Sequence, residues 1–495
     1  MTTTGSVDEG MSNVGRREFI RGAACMGAMA FAAGCASGGS RLAQSSAAPM
    51  HGFRIPPMSR VRVGIIGLGN RGGGAVHRLA MIPGIEIVAL CDIRKEAVDR
   101  QVAWLKDEKL PLPKRLFYGT EESWKALCDW DDVDVVYSAT PWAMHVPVAL
   151  YAMRAGRHVL TEVPAAFTVD ECWELVETSE RTRRNCMQLE NCVYGEMEML
   201  MLSLARQGVL GDLTYGECAY IHDLRRSCWE RYFKDWRLHW NAEHQGNQYP
   251  THGLGPIAWS MGINRGDRFD YLVSLESQQA GFEKFARDHY PAEDWRRGKR
   301  IAMGDMNVTL VKTVRGRAIQ IQHDVSSPRP YTRIDLLSGT RGTFWGMPWR
   351  TYDNDPAVYK LFIDDPKSPS RIHTFMPETE AERYREKYRH PLWRKIGKIA
   401  EEVGGHGGMD FIMDLRWAYC LQNGLPLDMD VYDLAAWCSI CELSERSVRS
   451  RSGSIDVPDF THGAWKAAKP LGDMDIDLTK LDFSRIRKDS AALNV

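Results

Sequence analysis

The chain has no surplus of charge of either sign. Lysine and arginine number 63 against 64 aspartates and glutamates, a formal net charge of −1 over 495 residues. That balance sets aside a basic nucleic-acid face and attraction to an acidic membrane surface. Internal repeats are absent, so solenoids and propellers are excluded. The longest candidate membrane run, Gly22 to Gly34, is too short and too rich in Ala and Gly to span a bilayer. Twelve cysteines occur without a framework spacing, two of them (Cys25, Cys35) near the N-terminus; the rest read as small buried hydrophobes. Cys438-Ser-Ile-Cys441 has no second pair, and His239, His244 and His252 follow no ligand spacing, so no metal is expected. What remains is a globular composition, 44% hydrophobic and 26% charged, long enough for two or three domains.

The N-terminus reads as an address. Arg16-Arg17-Glu-Phe-Ile20 precedes the weakly apolar run, the pattern of a twin-arginine export signal over residues 1–35. The run ends Ala32-Ala-Gly-Cys35, which is similar to a lipoprotein box with Cys35 as the lipid anchor; ordinary cleavage nearby is the alternative. Residues 36–58 then form a flexible tether. The expected location is the periplasm, free or membrane-anchored. Because this route carries folded proteins, a nucleotide must leave inside its enzyme and is expected to be held tightly.

The main chemical signal is Arg62-Val-Arg-Val-Gly-Ile-Ile-Gly-Leu-Gly-Asn-Arg-Gly-Gly-Gly74. A buried β-branched strand runs into Gly67, Gly69 and Gly72, then a helix from about Ala75. In that spacing the first glycine permits the turn, the second admits a pyrophosphate and the third lets helix pack on strand. A second strand, Glu86–Cys91, ends at Asp92, an acceptor for ribose hydroxyls that favours NAD over NADP; Arg94 is placed to meet a 2′-phosphate instead. Strand and helix alternate up to Cys186–Leu189, giving a doubly wound parallel domain over 59–190. From 191 to 495 longer alternating strands (Leu213–His222, Phe269–Ser277, Asn307–Val314, Ala318–Val325, Thr332–Leu337) predict an α/β domain on an open, mainly antiparallel sheet, with two helices over Gly408–Arg449.

Strand ends at Thr140-Pro-Trp-Ala-Met-His145 and Thr161-Glu-Val-Pro164 make the chain resemble the Gfo/Idh/MocA oxidoreductases, with Val163 where that family normally carries lysine. Glu190-Asn-Cys-Val-Tyr194, Asn247-Gln-Tyr-Pro-Thr-His-Gly-Leu-Gly-Pro256, Asp324-Val-Ser-Ser-Pro-Arg-Pro-Tyr331 and Gly404-Gly-His-Gly-Gly-Met-Asp410 narrow the resemblance to glycoside hydrolase family 109, the NAD-dependent α-N-acetylgalactosaminidases. Carried over by position, the resemblance implies cofactor contacts at Asn70, Arg71, Asp92, Trp142 to His145, Glu162, Val163 and Asn191. It implies sugar contacts at Tyr220, Arg237, Tyr249, Pro250, Thr251, His252 and Tyr331.

The activity so implied is hydrolysis without net redox change. Hydride leaves C3 of the terminal sugar for NAD, the C3 ketone acidifies C2–H, the aglycone is expelled, water adds, and C3 is restored. His252, in what reads as a Gly/Pro-rich loop, and Tyr249 are the candidate proton-transfer residues. Arg237 lies between Trp236 and Trp240, which also fits cation–π packing. Abundant acids offer no pair that sequence picks out for a two-carboxylate glycosidase. The alternatives are a net sugar oxidoreductase, against which Val163 argues, and a sugar-binding protein that keeps NAD as structure. A glycan or small-molecule substrate is expected, and a homo-oligomer of unspecified size.

Overall fold

A computed structural model describes residues 48–347, 358–364, 373–483 and 485–486; the expected export signal and the expected tether up to residue 47 lie outside them. Residues 61–188 alternate as their periodicity predicts: β1 (Val61–Ile66), α1 (Asn70–Met81), β2 (Ile85–Cys91), α2 (Lys95–Asp107), β3 (Arg115–Phe117), α3 (Ser123–Asp129), β4 (Val135–Ser138), α4 (His145–Arg154), β5 (His158–Thr161), α5 (Val169–Thr182) and β6 (Cys186–Gln188). The strands are parallel in the order β3-β2-β1-β4-β5-β6. The winding therefore reverses between β1 and β4, where such sheets open a ligand crevice. Side chains of β4 and β5 are wholly buried, as helices on both faces of a parallel sheet require. Local rules hold too: Thr168 caps α5 by accepting from Glu171 N–H, and Glu171 accepts from Thr168 N–H at 3.0 Å, an arrangement worth about 1 kcal/mol.

After α6 (Glu196–Arg206) the chain builds a second sheet from β7 (Leu213–Ile221), β8 (Phe269–Glu276), β9 (Asn307–Thr313), β10 (Ala318–Asp324), β11 (Asp335–Gly339), β12 (Gly342–Met347), β13 (Val358–Ile363) and β14 (Ile455–Asp456). Its order is β13-β12-β11-β7-β10-β9-β8-β14. Only β7 and β10 pair in parallel; every other neighbouring pair is antiparallel. Between β7 and β8 lie α7 (Arg225–Glu230), α8 (Arg237–Glu243) and α9 (Thr251–Met261), and α10 (Gly281–His289) follows β8. The last helices are α11 (Glu378–Tyr388), α12 (Pro391–Val403), α13 (Met409–Gln422), α14 (Val431–Cys438) and α15 (Ile440–Arg449).

Four details depart from the sequence reading. His252 is not in a loop but in the first turn of α9. The glycines that read as loop are there because the helix packs close: a Cβ on Gly253 would sit 2.6 Å from Ala219 N, and one on Gly255 2.9 Å from Val193 Cγ1. The strand expected from Thr332 begins at Asp335, because Ile334 turns to φ +48° and leaves Thr332 an isolated bridge to Ile221. The C-terminal pair of helices is a trio; Ser439 bonds back to Ala436 O at 3.0 Å where α14 gives way to α15, a known cause of helix bending. The end of the expected tether is packed: Met50 is 3% exposed, its N–H donates to Tyr432 Oη at 3.0 Å, and Ile55 joins the core.

The C-terminal helices return to the nucleotide-binding sheet, α13 against α1 and α14 against α5. The ten described cysteines are all buried and unpaired, in keeping with their reading as small hydrophobes. Among the described residues no helix is long and apolar enough to cross a membrane.

Candidate active site

The glycine turn sits at the switch point, and each of its glycines has a separate reason. Gly67 has φ +85° and a Cβ there would lie 2.6 Å from Ala139 O; a Cβ on Gly72 would lie 1.8 Å from Gly67 O. Both are dictated by packing. At Gly69 a Cβ would meet nothing within 4 Å, so open space faces the N-terminus of α1. That terminus has no side-chain cap and no acid in its first turn, leaving N–H groups for phosphate oxygens. Asn70 is exposed at the first position of α1.

Asp92 closes β2 and accepts from Leu68 N–H at 2.7 Å and from Arg94 N–H and Nε at 2.9 and 3.1 Å. Arg94 is thus turned onto Asp92 itself, and the carboxylate keeps the place of a ribose-hydroxyl acceptor. The residues present fit NAD.

Next to this turn an ionic seam joins the two sheets' segments. Arg71 donates Nε to Glu162 Oε1 at 2.8 Å and Nη1 to Asp410 Oδ2 at 3.0 Å. Asp410 also takes His406 Nδ1 at 2.8 Å and Asn191 Nδ2 at 2.5 Å, with Arg78 Nη1 3.5 Å away. Arg78 bonds Asp414 through Nε at 2.8 Å. Burial alone would raise the Asp410 carboxyl, but Arg71 and His406 overcome it and hold it well below the usual range. His145 sets Nδ1 2.8 Å from Pro164 O and Nε2 2.9 Å from Thr140 O, one of which takes its single N–H when the ring is neutral. It therefore ties the loops after β4 and β5 together, with burial pushing its pKa down.

The sugar-contact candidates converge on a second pocket. Tyr220 of β7 stacks on Tyr249 with ring centroids 4.4 Å apart, and His252 stands edge-on to both at 5.4 and 4.9 Å. Trp142 lies 6.1 Å from Tyr249, and Val163 packs into the same cluster; cofactor and sugar candidates therefore adjoin. Arg237, 4% exposed, has its guanidinium over Trp142 and Phe233 at 4.4 Å and Tyr249 at 4.7 Å, and its charge opposes the rise that burial gives the Tyr220 phenol. Tyr331 meets Tyr220 edge-on at 6.2 Å. Pro250 stands at the N-cap of α9 and Thr251 is buried beside His252.

Sequence reasoning missed the acid that completes this pocket. Glu190, fully buried, sits beyond β6 and takes His252 Nδ1 at 2.7 Å on one oxygen and 3.0 Å on the other. Burial would raise its pKa; the imidazole beside it more than compensates and lowers it. The Nδ1 proton is thereby assigned and Nε2 is the nitrogen free for substrate. The available signal was position: a carboxylate at the C-terminal end of a parallel strand, the ligand side of such sheets. Glu190, Cys192 and His252 also place one donor atom each within 4.8 Å of one another. Two of those atoms are spent on each other, and burial raises the Cys192 thiol, the wrong state for a metal ligand. His222, 5.0 Å edge-on to Tyr331, was also missed.

A glycine turn at the switch point, with a histidine–glutamate pair and an aromatic cluster adjoining it, defines an NAD-binding protein of Gfo/Idh/MocA architecture. The family description "Oxidoreductase family, NAD-binding Rossmann fold" matches residues 61–189, and "Glycosyl hydrolase 109, C-terminal domain" matches 194–467. The alpha-N-acetylgalactosaminidase of Shewanella oneidensis is 43% identical over 93% of this chain and 99% of its own length. A glycosyl hydrolase family 109 protein of Shewanella woodyi is 46% identical over 85% and 89%. Among solved structures, the aldose-aldose oxidoreductase of Caulobacter crescentus (TM-score 0.56, 16% identity, 80% of this chain and 100% of that one) shares the fold. So does a levoglucosan dehydrogenase complexed with NADH and levoglucosan (0.55, 15%, 81% and 100%). The chain belongs to glycoside hydrolase family 109: it is a glycoside hydrolase with an NAD-binding Rossmann domain.

Proposed function

We propose that the protein hydrolyses terminal α-N-acetylgalactosaminides by an oxidation, elimination, addition and reduction cycle without net redox change. The observation that carries the reading is the Glu190–His252 pair set 4.9 Å edge-on to Tyr249, beside an apolar Val163 where dehydrogenase relatives place a lysine. The name of the Shewanella oneidensis relative supports the choice of sugar.

NAD would be held by Gly67 to Arg71 and Asp92 and would supply a reversible two-electron acceptor. The chain's own residues do the rest. His252 Nε2 takes a proton from the ring, and Glu190 balances the imidazolium so formed. Burial holds the Tyr249 phenol well above its ordinary value, so Tyr249 serves as a donor to a sugar oxygen rather than as a base. Arg237 places a positive charge against the same ring, where it stabilises charge developing on oxygen. Val163 and the tryptophans exclude water from this face.

Turnover of a chromogenic α-N-acetylgalactosaminide in heavy water tests this directly. Free sugar carrying deuterium at C2 is the expected product, because an acidified C2–H exchanges with solvent. Product formed at the normal rate with no C2 deuterium rejects the cycle. Export remains part of the proposal: exchanging Arg16 and Arg17 for lysine should retain the protein in the cytoplasm, and Cys35→Ala should release a lipid-anchored form.

A further inference from the structure

We propose that Arg333 is a positioning residue that fixes Tyr331 as a hydrogen-bond donor to the bound sugar; this rests on the glycosidase reading above. Arg333 lies just before β11, with its side chain 5% exposed. It donates Nε to Glu198 Oε1 at 2.9 Å, Nη2 to the same oxygen, and Nη1 to the Tyr331 hydroxyl oxygen at 2.8 Å. A guanidinium has no acceptor, so the direction of the last bond is settled. The Tyr331 oxygen gives a lone pair to Arg333, and its proton must point elsewhere.

The ring of Tyr331 stands edge-on to His222 and Tyr220, with centroids at 5.0 and 6.2 Å, so it belongs to the pocket wall. Burial keeps its phenol well above the ordinary value even with Arg333 beside it, which rules it out as a base. The break at Ile334, φ +48°, interrupts the strand next to where Arg333 enters. Asp335, the nearer acid in sequence, has neither carboxylate oxygen hydrogen-bonded, and burial with the charge of Glu198 raises its carboxyl well above the usual range. Glu198 is therefore the charge partner that anchors Arg333. His252 and Tyr331 then divide the chemistry, one accepting protons and the other only donating a hydrogen bond.

The experiment is a double-mutant cycle on holoenzyme, with N-acetylgalactosamine binding by calorimetry and KM and kcat on its chromogenic α-glycoside. Tyr331→Phe and Arg333→Met are each expected to weaken sugar binding roughly tenfold. The double variant should be no weaker than either single one, since both remove the same bond. Arg333→Lys, which still donates, should recover part of the loss; paired with Tyr331→Phe it closes a second cycle if Arg333→Met does not fold. Arg333 variants that bind like wild type, or penalties that multiply in the double variant, overturn the assignment of Arg333. Wild type that neither binds the sugar nor cleaves the glycoside overturns the glycosidase reading, and the donor role with it.

Discussion

Arg71 and Arg78 at the nucleotide end and Arg237 at the sugar end are buried in opposite ways. At the nucleotide end Arg71 and Arg78 are matched by Glu162, Asp410 and Asp414 at 2.8 to 3.5 Å. At the sugar end Arg237 rests on Trp142, Phe233, Trp236 and Tyr249, with no carboxylate at ion-pair distance among the described residues. Its field is felt by its neighbours: burial together with Arg237 pushes His222 down to about 4 and His323 down to about 3. Paired charges hold two parts of a fold in register. An unpaired cation among neutral rings instead offers its field to whatever oxygen enters. The difference separates the seam beside the glycine turn from the cluster around Tyr249 and His252.

The largest effect that would sharpen this contrast is on chemistry. His252→Ala should lower turnover by about two to four orders of magnitude while nucleotide is still released on denaturation, because the glycine turn does not depend on α9. Glu190→Gln should act in the same direction by leaving the imidazolium unbalanced. Loss of nucleotide from His252→Ala would show that the two ends are not separable.

Asp410→Asn tests the paired end. It takes one of its two carboxylate partners from each of Arg71 and Arg78, leaving Glu162 and Asp414, and should cost about 1.5–3 kcal/mol of stability, read from the denaturant midpoint, and should loosen retained nucleotide. Arg237→Met is its counterpart. It strands no acid, so stability should stay within about 1 kcal/mol, whereas sugar affinity should fall at least about tenfold. Equal destabilisation by the two variants would break the comparison.

How much of this was legible in the sequence divides along the same line. The Rossmann half was, because glycine spacing, strand periodicity and the Thr168 cap are local signals that buried packing reinforces. The clustering of Tyr220, Arg237, Tyr249, His252 and Tyr331 followed from a resemblance, not from any periodicity. Glu190 was marked only by its position at a strand end: its partner is 62 residues away, and a lone glutamate after a three-residue strand carries no periodicity. The seam was equally hidden, since Arg71 and Asp410 stand 339 residues apart. His252 misled in the other direction, its glycines signalling a loop when they serve a tightly packed helix.

The smallest expected effect concerns the support beneath the loop that carries Tyr249. Glu276 on β8 accepts from Gly304 N–H at 2.7 Å and from Gly246 N–H at 3.3 Å, and so pins the start of the segment leading to α9. Burial, with the charge of Glu445 added, raises its carboxyl from 4.5 to about 7. Glu445 is itself held by His244 at 3.0 Å and by Arg449 at 2.5 Å. The sign follows from linkage. Below pH 4.5 both folded and unfolded chains hold the proton and Glu276 has no effect. Between 4.5 and about 7 the unfolded chain ionises first and stability falls, and above that range the loss is complete. Glu276→Gln keeps the acceptor oxygen and cannot ionise, so it should match wild type at acid pH and exceed it by about 1–2 kcal/mol above neutrality. Urea midpoints at three pH values decide it: a variant less stable than wild type at alkaline pH would mean that the charged carboxylate, not the neutral acid, is what the Gly246 and Gly304 amides hold.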